Sequence, residues 1–325
     1  MENVLEELLH FLKENSIALT ARIIVNYQMA ADLGGVLRDI TSKAWIQAER
    51  SCYFEGDREK VITSALIPEW ICVSIGKLIF VCLAHGGAFP TFIHASLLDF
   101  IFEQKRQYKS IESVFPSTKN LTNLIQSVEC NSNLPEQIPE LRSWMIDHDI
   151  QPYFWKDMGK GQVLSTLSQY ELIDRRTRNL SLIKAGFDQH SIVNEIVELG
   201  LQSTLATYLL QTVSTAKEFK NQIKPLTLTN KQDQTTFDHF MRYIEESPEV
   251  RLQQLMLFIV GSCRIPVPNK IGVDFMRSET KLWPVAHTCD PSIELWAFYR
   301  EDDYETFERD LDGALRLGSD SFGIA

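Results

Sequence analysis

The sequence predicts an α+β protein of two lobes, a mostly helical amino-terminal lobe and a smaller carboxy-terminal lobe that mixes helices with strands. Its 325 residues are enough for two units that each bury a core. Apolar residues recur at helical spacing through most of residues 3–218, whereas residues 272–276 and 293–298 have the character of strands. The polar, proline-containing stretch 220–234 separates the two parts and predicts a hinge.

The composition is that of a soluble globular protein, with 44% hydrophobic and 23% charged residues. The 43 acidic residues outnumber the 32 basic ones, and the formal net charge is −11. Binding to nucleic acid or to an anionic membrane through bulk electrostatics needs the opposite sign, so we expect neither partner. The most apolar segment, residues 66–102, is interrupted by Lys77 and by glycines and prolines, so it predicts two buried helices and not a membrane span.

The cysteines are scattered and predict reduced thiols. They are Cys52, Cys72, Cys82, Cys130, Cys263 and Cys289. None forms a Cys-x-x-Cys pair, so we expect neither a metal site nor a cofactor held by thiolates. Residues 2–13 place acids and leucines at helical spacing without a basic leader region, which argues against a secretory signal. These features predict a cytoplasmic and/or nuclear protein.

The first lobe is predicted to open with a helix over residues 3–14 and to close with helical runs between residues 170 and 218. Residues 103–175 are more polar, and prolines divide them into short helices. Aromatic residues recur in this polar part as local anchors, namely Trp144, Tyr153, Phe154 and Trp155. The basic cluster within residues 175–178 is most simply a solvated helix face.

The second lobe has two predicted helices with clear ends. Ser247 as N-cap and Pro248 at the first helical position predict the start of one helix, and Gly261 predicts its end. A capping box at Asp302 predicts the start of the other helix, which a glycine at position 318 is expected to close.

Two runs in the second lobe carry the clearest motifs. Residues 258–266 read Phe-Ile-Val-Gly-Ser-Cys-Arg-Ile-Pro, and residues 282–289 read Leu-Trp-Pro-Val-Ala-His-Thr-Cys. They resemble the carboxy-terminal lobe of HECT-type ubiquitin ligases, where a Phe-Val-Thr-Gly-Ser-Ser-Arg-Val-Pro-like run precedes Leu-Pro-x-Ala-His-Thr-Cys. That family ends with a Phe fourth from the carboxyl terminus, the place that Phe322 holds.

Weaker likenesses extend into the first lobe. Residues 32–39 read Asp-Leu-Gly-Gly-Val-Leu-Arg-Asp and resemble the family's Asp-x-Gly-Gly-x-x-Arg-Glu run, with Phe-Glu-Gly at residues 54–56 following as it does in the family. Gly76 and Lys77 resemble the start of a further family pattern, and Gly186 resembles a Gly-Phe element late in the family's first lobe.

The resemblance implies a bilobal HECT fold. Residues 1–219 would form the amino-terminal lobe, residues 220–234 a flexible hinge, and residues 235–325 the carboxy-terminal lobe. The implied partners are ubiquitin, a ubiquitin-conjugating enzyme that docks within residues 103–175, and a protein substrate. The implied activity is ubiquitin transfer through a cysteine thioester, which needs no cofactor.

The resemblance makes Cys289 the nucleophile. The attacking species is a thiolate, and an unperturbed thiol with a pKa of about 8.5 is mostly protonated at neutral pH, so an exposed polar loop suits the role better than a core position. His287 and Thr288 are candidates to shape the loop and to hydrogen-bond the thioester, although His287 could equally be an exposed side chain without a catalytic part. Phe322 would help to dock the lobes, or would simply cover the helix before it.

One departure from the family leaves two hypotheses open. Asp290 and Pro291 stand where the family usually has Phe-Asn. A carboxylate beside the thiol would raise the thiol pKa by repulsion, or it could orient or deprotonate the incoming lysine. The first hypothesis is therefore an active ligase with a thioester on Cys289. The alternative is a catalytically silent HECT-like scaffold that binds ubiquitin or a conjugating enzyme.

Overall fold

A computed structural model gives the fold of the chain. The structure describes residues 3–18, 35–108, 110–129, 132–210, 215–262, 270–288 and 290–320, without the side chains of residues 35, 36 and 318–320. Cys130, Cys263, Cys289 and Phe322 therefore lie outside the described residues, as does the start of the run at residues 32–39.

The described elements are mostly helices. They are α1 (Val4–Glu14), α2 (Gly35–Glu49), α3 (Glu69–Ala84), α4 (Ser96–Ile101), α5 (Lys119–Ser127), α6 (Leu134–Gln137), α7 (Pro139–Asp147), α8 (Lys160–Leu172), α9 (Thr177–Phe187), α10 (Ile192–Glu198), α11 (Gln202–Leu210), α12 (Ala216–Lys220), α13 (Lys231–Glu246), α14 (Glu249–Val260) and α15 (Tyr304–Asp320). The strands are β1 (Phe54–Gly56), β2 (Lys60–Ile62), β3 (Ile223–Pro225), β4 (Ile271–Met276), β5 (Val285–His287) and β6 (Ser292–Trp296). This helix-rich first part and mixed second part confirm the predicted α+β class.

The first hydrophobic core runs from Leu5 to Leu209 and is built around α3. This helix is apolar on nearly all sides, which is typical of a helix enclosed by other elements. Its buried apolar side chains are Ile71, Cys72, Ile75, Leu78, Ile79, Phe80, Val81 and Cys82. No helix in the described part of the chain is both long and apolar enough to cross a membrane.

The helices α3 and α9 cross at two glycines. A Cβ added to Gly76 would overlap the carbonyl oxygen of Ile183 and lie 2.8 Å from the backbone nitrogen of Phe187. A Cβ added to Gly186 would overlap the carbonyl oxygen of Val73 in the same way. Since the clashing atoms belong to the backbone, no side-chain movement can relieve the overlap. The two motif glycines of the first lobe therefore allow backbone-to-backbone packing.

Arg176 joins α9 to the short hairpin of β1 and β2. Its Nε donates to the carbonyl oxygen of Ile62 at 2.8 Å, and its Nη2 binds the carboxylate of Glu55. The side chain is 1% exposed. The expectation that the cluster at residues 175–178 is a solvated face is therefore wrong for Arg176, whose buried guanidinium binds a carbonyl and a carboxylate of the hairpin.

The second hydrophobic core contains a four-stranded sheet in the order β3-β4-β6-β5. The strands β3, β4 and β6 are parallel, and β5 pairs antiparallel with β6. Helices α13, α14 and α15 cover the sheet with apolar side chains that include Phe240, Tyr243, Leu255, Met256, Ile259, Phe307 and Leu311. Phe219 of α12 is also fully buried in this core.

The stretch predicted to be a hinge, residues 220–234, is bonded to the second core. Strand β3 lies within it and pairs with β4, and the backbone nitrogen of Leu226 donates to the carbonyl oxygen of Val273 at 2.9 Å. The buried carboxylate of Asp233 accepts from Thr229 and, at 2.8 Å, from Arg277. The position of the hinge stays a prediction.

Of the four helix ends predicted in the second lobe, three are wrong and one is confirmed, and α15 begins at Tyr304 and not directly after Asp302. Helix α14 begins at Glu249 without a side-chain cap, because the hydroxyl of Ser247 instead donates to the carbonyl oxygen of Tyr243 at 2.7 Å and so closes the preceding helix. Helix α15 continues through position 318 to Asp320. Gly261 does end α14, in the left-handed conformation with φ 73°.

We expect alanine at Gly76 or at Gly186 to destabilise the protein by about 1–3 kcal/mol or more, because the added methyl group forces α3 and α9 apart. The measurement is equilibrium unfolding in urea. Gly161→Ala is the matched control, since Gly161 lies in α8 and a Cβ added there would have no atom within 4 Å. That substitution should be neutral or stabilise by up to about 1 kcal/mol. Equal unfolding midpoints for all three variants would contradict the close crossing.

Candidate active site

Cys289 belongs to the connection of a β-hairpin. Strands β5 and β6 pair antiparallel, with His287 opposite Ser292, so residues 288–291 join them. Cys289 itself lies outside the described residues, but its two neighbours are described. Thr288 is half-buried and Asp290 is exposed. The predicted nucleophile is therefore preceded by a half-buried residue and followed by an exposed one, in the connection between two paired strands.

His287 has a carboxylate partner that the sequence analysis missed. Its Nε2 lies 3.0 Å from Oε1 of Glu294, and both side chains are exposed. Glu294 stands on β6 opposite Val285, so the hairpin register brings it to the face that carries His287. The carboxylate can orient the imidazole ring and fix its tautomer. Knowledge of the strand register was needed to find this pair, because the sequence spacing alone does not indicate it.

Pro291 is part of the sheet, although it departs from the family motif. It is buried, and its carbonyl oxygen accepts from the backbone nitrogen of Gly272 at 2.8 Å. A proline has no backbone N–H to offer, so a place just before β6 where only its carbonyl is used suits it. The preceding residue, Asp290, projects into solvent, where water and salt screen its charge.

Arg38 of α2 reaches across to this hairpin from the first core. Its Nε donates to the carbonyl oxygen of Val260 at 2.9 Å, and its Nη2 binds the carbonyl oxygen of Thr288. Gly261 lies alongside, and a Cβ placed on it would be 3.4 Å from Cβ of Arg38 and 3.8 Å from Cβ of Thr288. Three runs that are far apart in the sequence therefore meet at Thr288, the residue before Cys289.

The end of α14 explains why a guanidinium binds there. The last carbonyl groups of a helix have no partner within the helix, and they form the negative end of its dipole. Val260 is the last residue of α14, and Gly261 turns the chain away immediately after it. A cationic donor that supplies the missing hydrogen bond is favourable at this position.

The described cysteines of the first core differ in their suitability as nucleophiles. Burial raises the pKa of Cys72 to about 11, so its thiol is almost wholly protonated at neutral pH. Cys82 is also buried, and its Sγ lies 2.9 Å from the carbonyl oxygen of Ala88. Cys52 is exposed. Among the residues that the structure describes, no group of three or more His, Cys, Asp or Glu side chains is arranged to hold a metal ion.

The comparisons with known proteins give one match. A family model described as HECT-domain (ubiquitin-transferase) matches residues 36–325. The match thus includes both hydrophobic cores almost completely and all the elements that surround Cys289. None of the curated proteins compared with the chain matches it.

We expect Gly261→Ala to cost about 1–2 kcal/mol of unfolding free energy, because an alanine is strained at a positive φ. Gly86→Ala is the matched control, since Gly86 also has φ 73° and a Cβ added there would have nothing within 4 Å. The two variants should lose similar free energies in urea unfolding, as the new methyl group at position 261 would meet Arg38 at an ordinary contact distance. A much larger loss at position 261 would mean that the packing around Arg38 and Thr288 is tighter than these distances indicate.

Proposed function

The chain belongs to the HECT-domain (ubiquitin-transferase) family, and from that premise we propose that it is an active ubiquitin ligase that carries ubiquitin as a thioester on Cys289. The observation that supports this most is the hairpin of β5 and β6, whose connection contains Cys289 between the half-buried Thr288 and the exposed Asp290. Ubiquitin, a conjugating enzyme and a protein substrate are its proposed partners. The proposed location is cytoplasmic and/or nuclear.

The proposed reaction consists of two acyl transfers. In the first, the Cys289 thiolate attacks the carbonyl carbon of the thioester on the conjugating enzyme. A C–S bond to Cys289 forms, the C–S bond to the conjugating enzyme breaks, and its cysteine leaves as a thiolate. In the second, a neutral lysine amine attacks the new thioester. An amide forms, Cys289 leaves as a thiolate, and the surplus proton of the amine passes to solvent or to a nearby base.

The exposed groups around Cys289 suit the second transfer. Asp290 is solvated, so its charge opposes the thiolate only weakly, while it can still attract a lysine ammonium to the loop. His287, oriented by Glu294, can accept the proton that the amine loses. Thr288 supports the loop through its carbonyl. We also propose that Phe322 helps to dock the two lobes, the role that the family resemblance implies.

The departure at Asp290 and Pro291 gives little support to the alternative of a silent scaffold. The carbonyl of Pro291 bonds to Gly272 and so continues the sheet, and Asp290 points to solvent. Neither residue therefore needs to distort the hairpin. The scaffold remains the outcome to which a negative charging experiment would point.

We propose that a hinge joins the two lobes on the amino-terminal side of β3, because the stretch predicted at residues 220–234 is bonded to the second core from Ile223 onwards. The first core ends at Leu209, and Phe219 is already buried in the second. Thr215 starts α12 with a capping box to Glu218. Since residues 220–234 are bonded to the second core, they would move with it. A hinge is needed because one thiol must meet both the conjugating enzyme and the acceptor lysine.

We propose Tyr153 and Phe154 as the docking residues for the conjugating enzyme within residues 103–175. They are 70% and 71% exposed, whereas the next residue, Trp155, is 4% exposed and packs against Trp144 with the ring centroids 5.9 Å apart. The buried tryptophan holds the short helical turn in place, so the aromatic pair is presented on a fixed support. Exposed aromatic residues on a rigid base are the usual anchors of protein interfaces.

Incubation with activating enzyme, conjugating enzyme and ubiquitin should give a thiol-reducible ubiquitin adduct of the chain, read on a non-reducing gel. Cys289→Ala should abolish this adduct, because no other residue is proposed to accept the acyl group. Cys52→Ala is the control, since Cys52 is an exposed cysteine elsewhere in the fold, and it should leave the adduct unchanged. An adduct that survives Cys289→Ala would contradict the assignment, and no adduct across a panel of conjugating enzymes would favour the scaffold.

The double variant Tyr153→Ala, Phe154→Ala should slow the loading of ubiquitin onto Cys289 by about tenfold or more at low concentrations of conjugating enzyme, because two anchor side chains are lost. A high concentration of conjugating enzyme should restore the rate. Leu199→Ala is the matched control, since Leu199 is 70% exposed but lies outside residues 103–175. A normal loading rate for the double variant would exclude this docking surface.

A further inference from the structure

Arg38 is presented by a rigid part of the first core. It lies on α2 between Leu37, which is buried, and Thr41, which is fully buried. The hydroxyl of Thr41 donates to the carbonyl oxygen of Leu37 at 2.7 Å and accepts from the backbone nitrogen of Ala88, also at 2.7 Å. Helix α2 is therefore tied to the loop that follows α3, and the guanidinium extends from a fixed base.

The two acceptors of Arg38 belong to the second core. The carbonyl of Val260 ends α14, and the carbonyl of Thr288 follows β5 in the hairpin. A guanidinium is planar and offers several N–H groups in a fixed fork, so it can bridge two carbonyls that face it together, which a lysine ammonium does poorly. Arg38 belongs to the first lobe, and both of its acceptors belong to the second. The bridge therefore forms only while the two lobes are docked.

The bridge acts one peptide away from the proposed nucleophile. Consecutive Cα atoms are about 3.8 Å apart, so a fixed carbonyl at Thr288 fixes where the backbone of Cys289 begins. A thiol on a hinged lobe otherwise samples many orientations, and holding it in one orientation lowers the entropic part of the barrier to acyl transfer.

From these contacts we propose that Arg38 is a positioning residue that locks the Cys289 hairpin onto the first lobe while ubiquitin passes from Cys289 to an acceptor amine. This inference rests on the proposed ligase function. The lock serves this step and not loading because α2 lies outside residues 103–175, the stretch proposed to hold the conjugating enzyme. During loading the hairpin must face that enzyme, and the Arg38 bridge is open. The lock, closed in the uncharged protein, opens for loading and closes again on α2 once the thioester has formed.

The test compares Arg38→Ala, Arg38→Lys and the control Arg50→Ala. Arg50 is exposed just beyond the end of the same helix, about 18 Å further along its axis at the usual rise per residue. Two single-turnover rates are measured, the loading of Cys289 from the charged conjugating enzyme and the discharge of isolated thioester to free lysine. Free lysine removes any effect of substrate recognition.

Arg38→Ala should slow discharge by about tenfold or more, because the loss of a single hydrogen bond from a charged donor already corresponds to about tenfold, and should change loading by less than about twofold. Arg38→Lys should fall between the wild type and the alanine variant, and Arg50→Ala should match the wild type. Unfolding midpoints confirm that each variant is folded. Discharge at the wild-type rate, or faster discharge, in Arg38→Ala would overturn the proposal, as would an equal slowing of both steps.

Hydrogen exchange on the uncharged protein tests the same lock without catalysis. Arg38→Ala should speed amide exchange in residues 285–296, because the hairpin loses its contact with α2, and Arg50→Ala should not. Unchanged exchange in Arg38→Ala would overturn the lock even if discharge were slow. If the wild type forms no thioester with any conjugating enzyme, the ligase proposal fails, and since the lock serves only that transfer it is overturned with it. If the wild type charges and Arg38→Ala discharges normally, only the lock fails.

Discussion

The backbone contact between α3 and α9 is the constraint on which the first core depends. Two helices can touch at their backbones only where both lack a Cβ, and Gly76 and Gly186 supply those two places. The close approach lets the apolar surface of α3 be enclosed, and Arg176, just before α9, joins that helix to the hairpin of β1 and β2. The first core thereby gives rigid support to the hairpin of β1 and β2 and to α2, which carries Arg38.

The second core meets a different requirement, because the thiol proposed to carry ubiquitin would have to be exposed and yet held in place. A hairpin connection suits both needs, because the paired strands β5 and β6 hold its two ends while Asp290 within it is exposed. On its other side β6 pairs in parallel with β4, and β4 pairs in parallel with β3. Pro291 departs from the family motif and still belongs to the sheet, since its carbonyl oxygen accepts from the backbone nitrogen of Gly272 in β4.

The sequence predicted what depends on local pattern and failed where distant residues decide. Periodicity predicted α1. Glycine is favoured where a helix ends in the left-handed backbone conformation, and this preference predicted the end of α14 at Gly261. Motif likeness predicted the family. Ser247 did not cap α14 because its hydroxyl had a nearer carbonyl in α13, a competition that spacing cannot reveal. The contacts of Arg38 lie more than 200 positions away, so no local pattern could indicate them.

The strength of the bridge from Arg38 suits a part that must open and close. A hydrogen bond from a charged donor contributes about 1.5–3 kcal/mol, so two of them hold a docked lobe without making it permanent. Interfaces between domains of one chain are commonly mobile unless they are large and apolar. A stronger apolar seal would trap the thiol in one orientation, and no contact at all would leave it unpositioned. A single arginine that binds two backbone carbonyls lies between these extremes. One of those carbonyls belongs to Thr288, the residue before the proposed nucleophile Cys289.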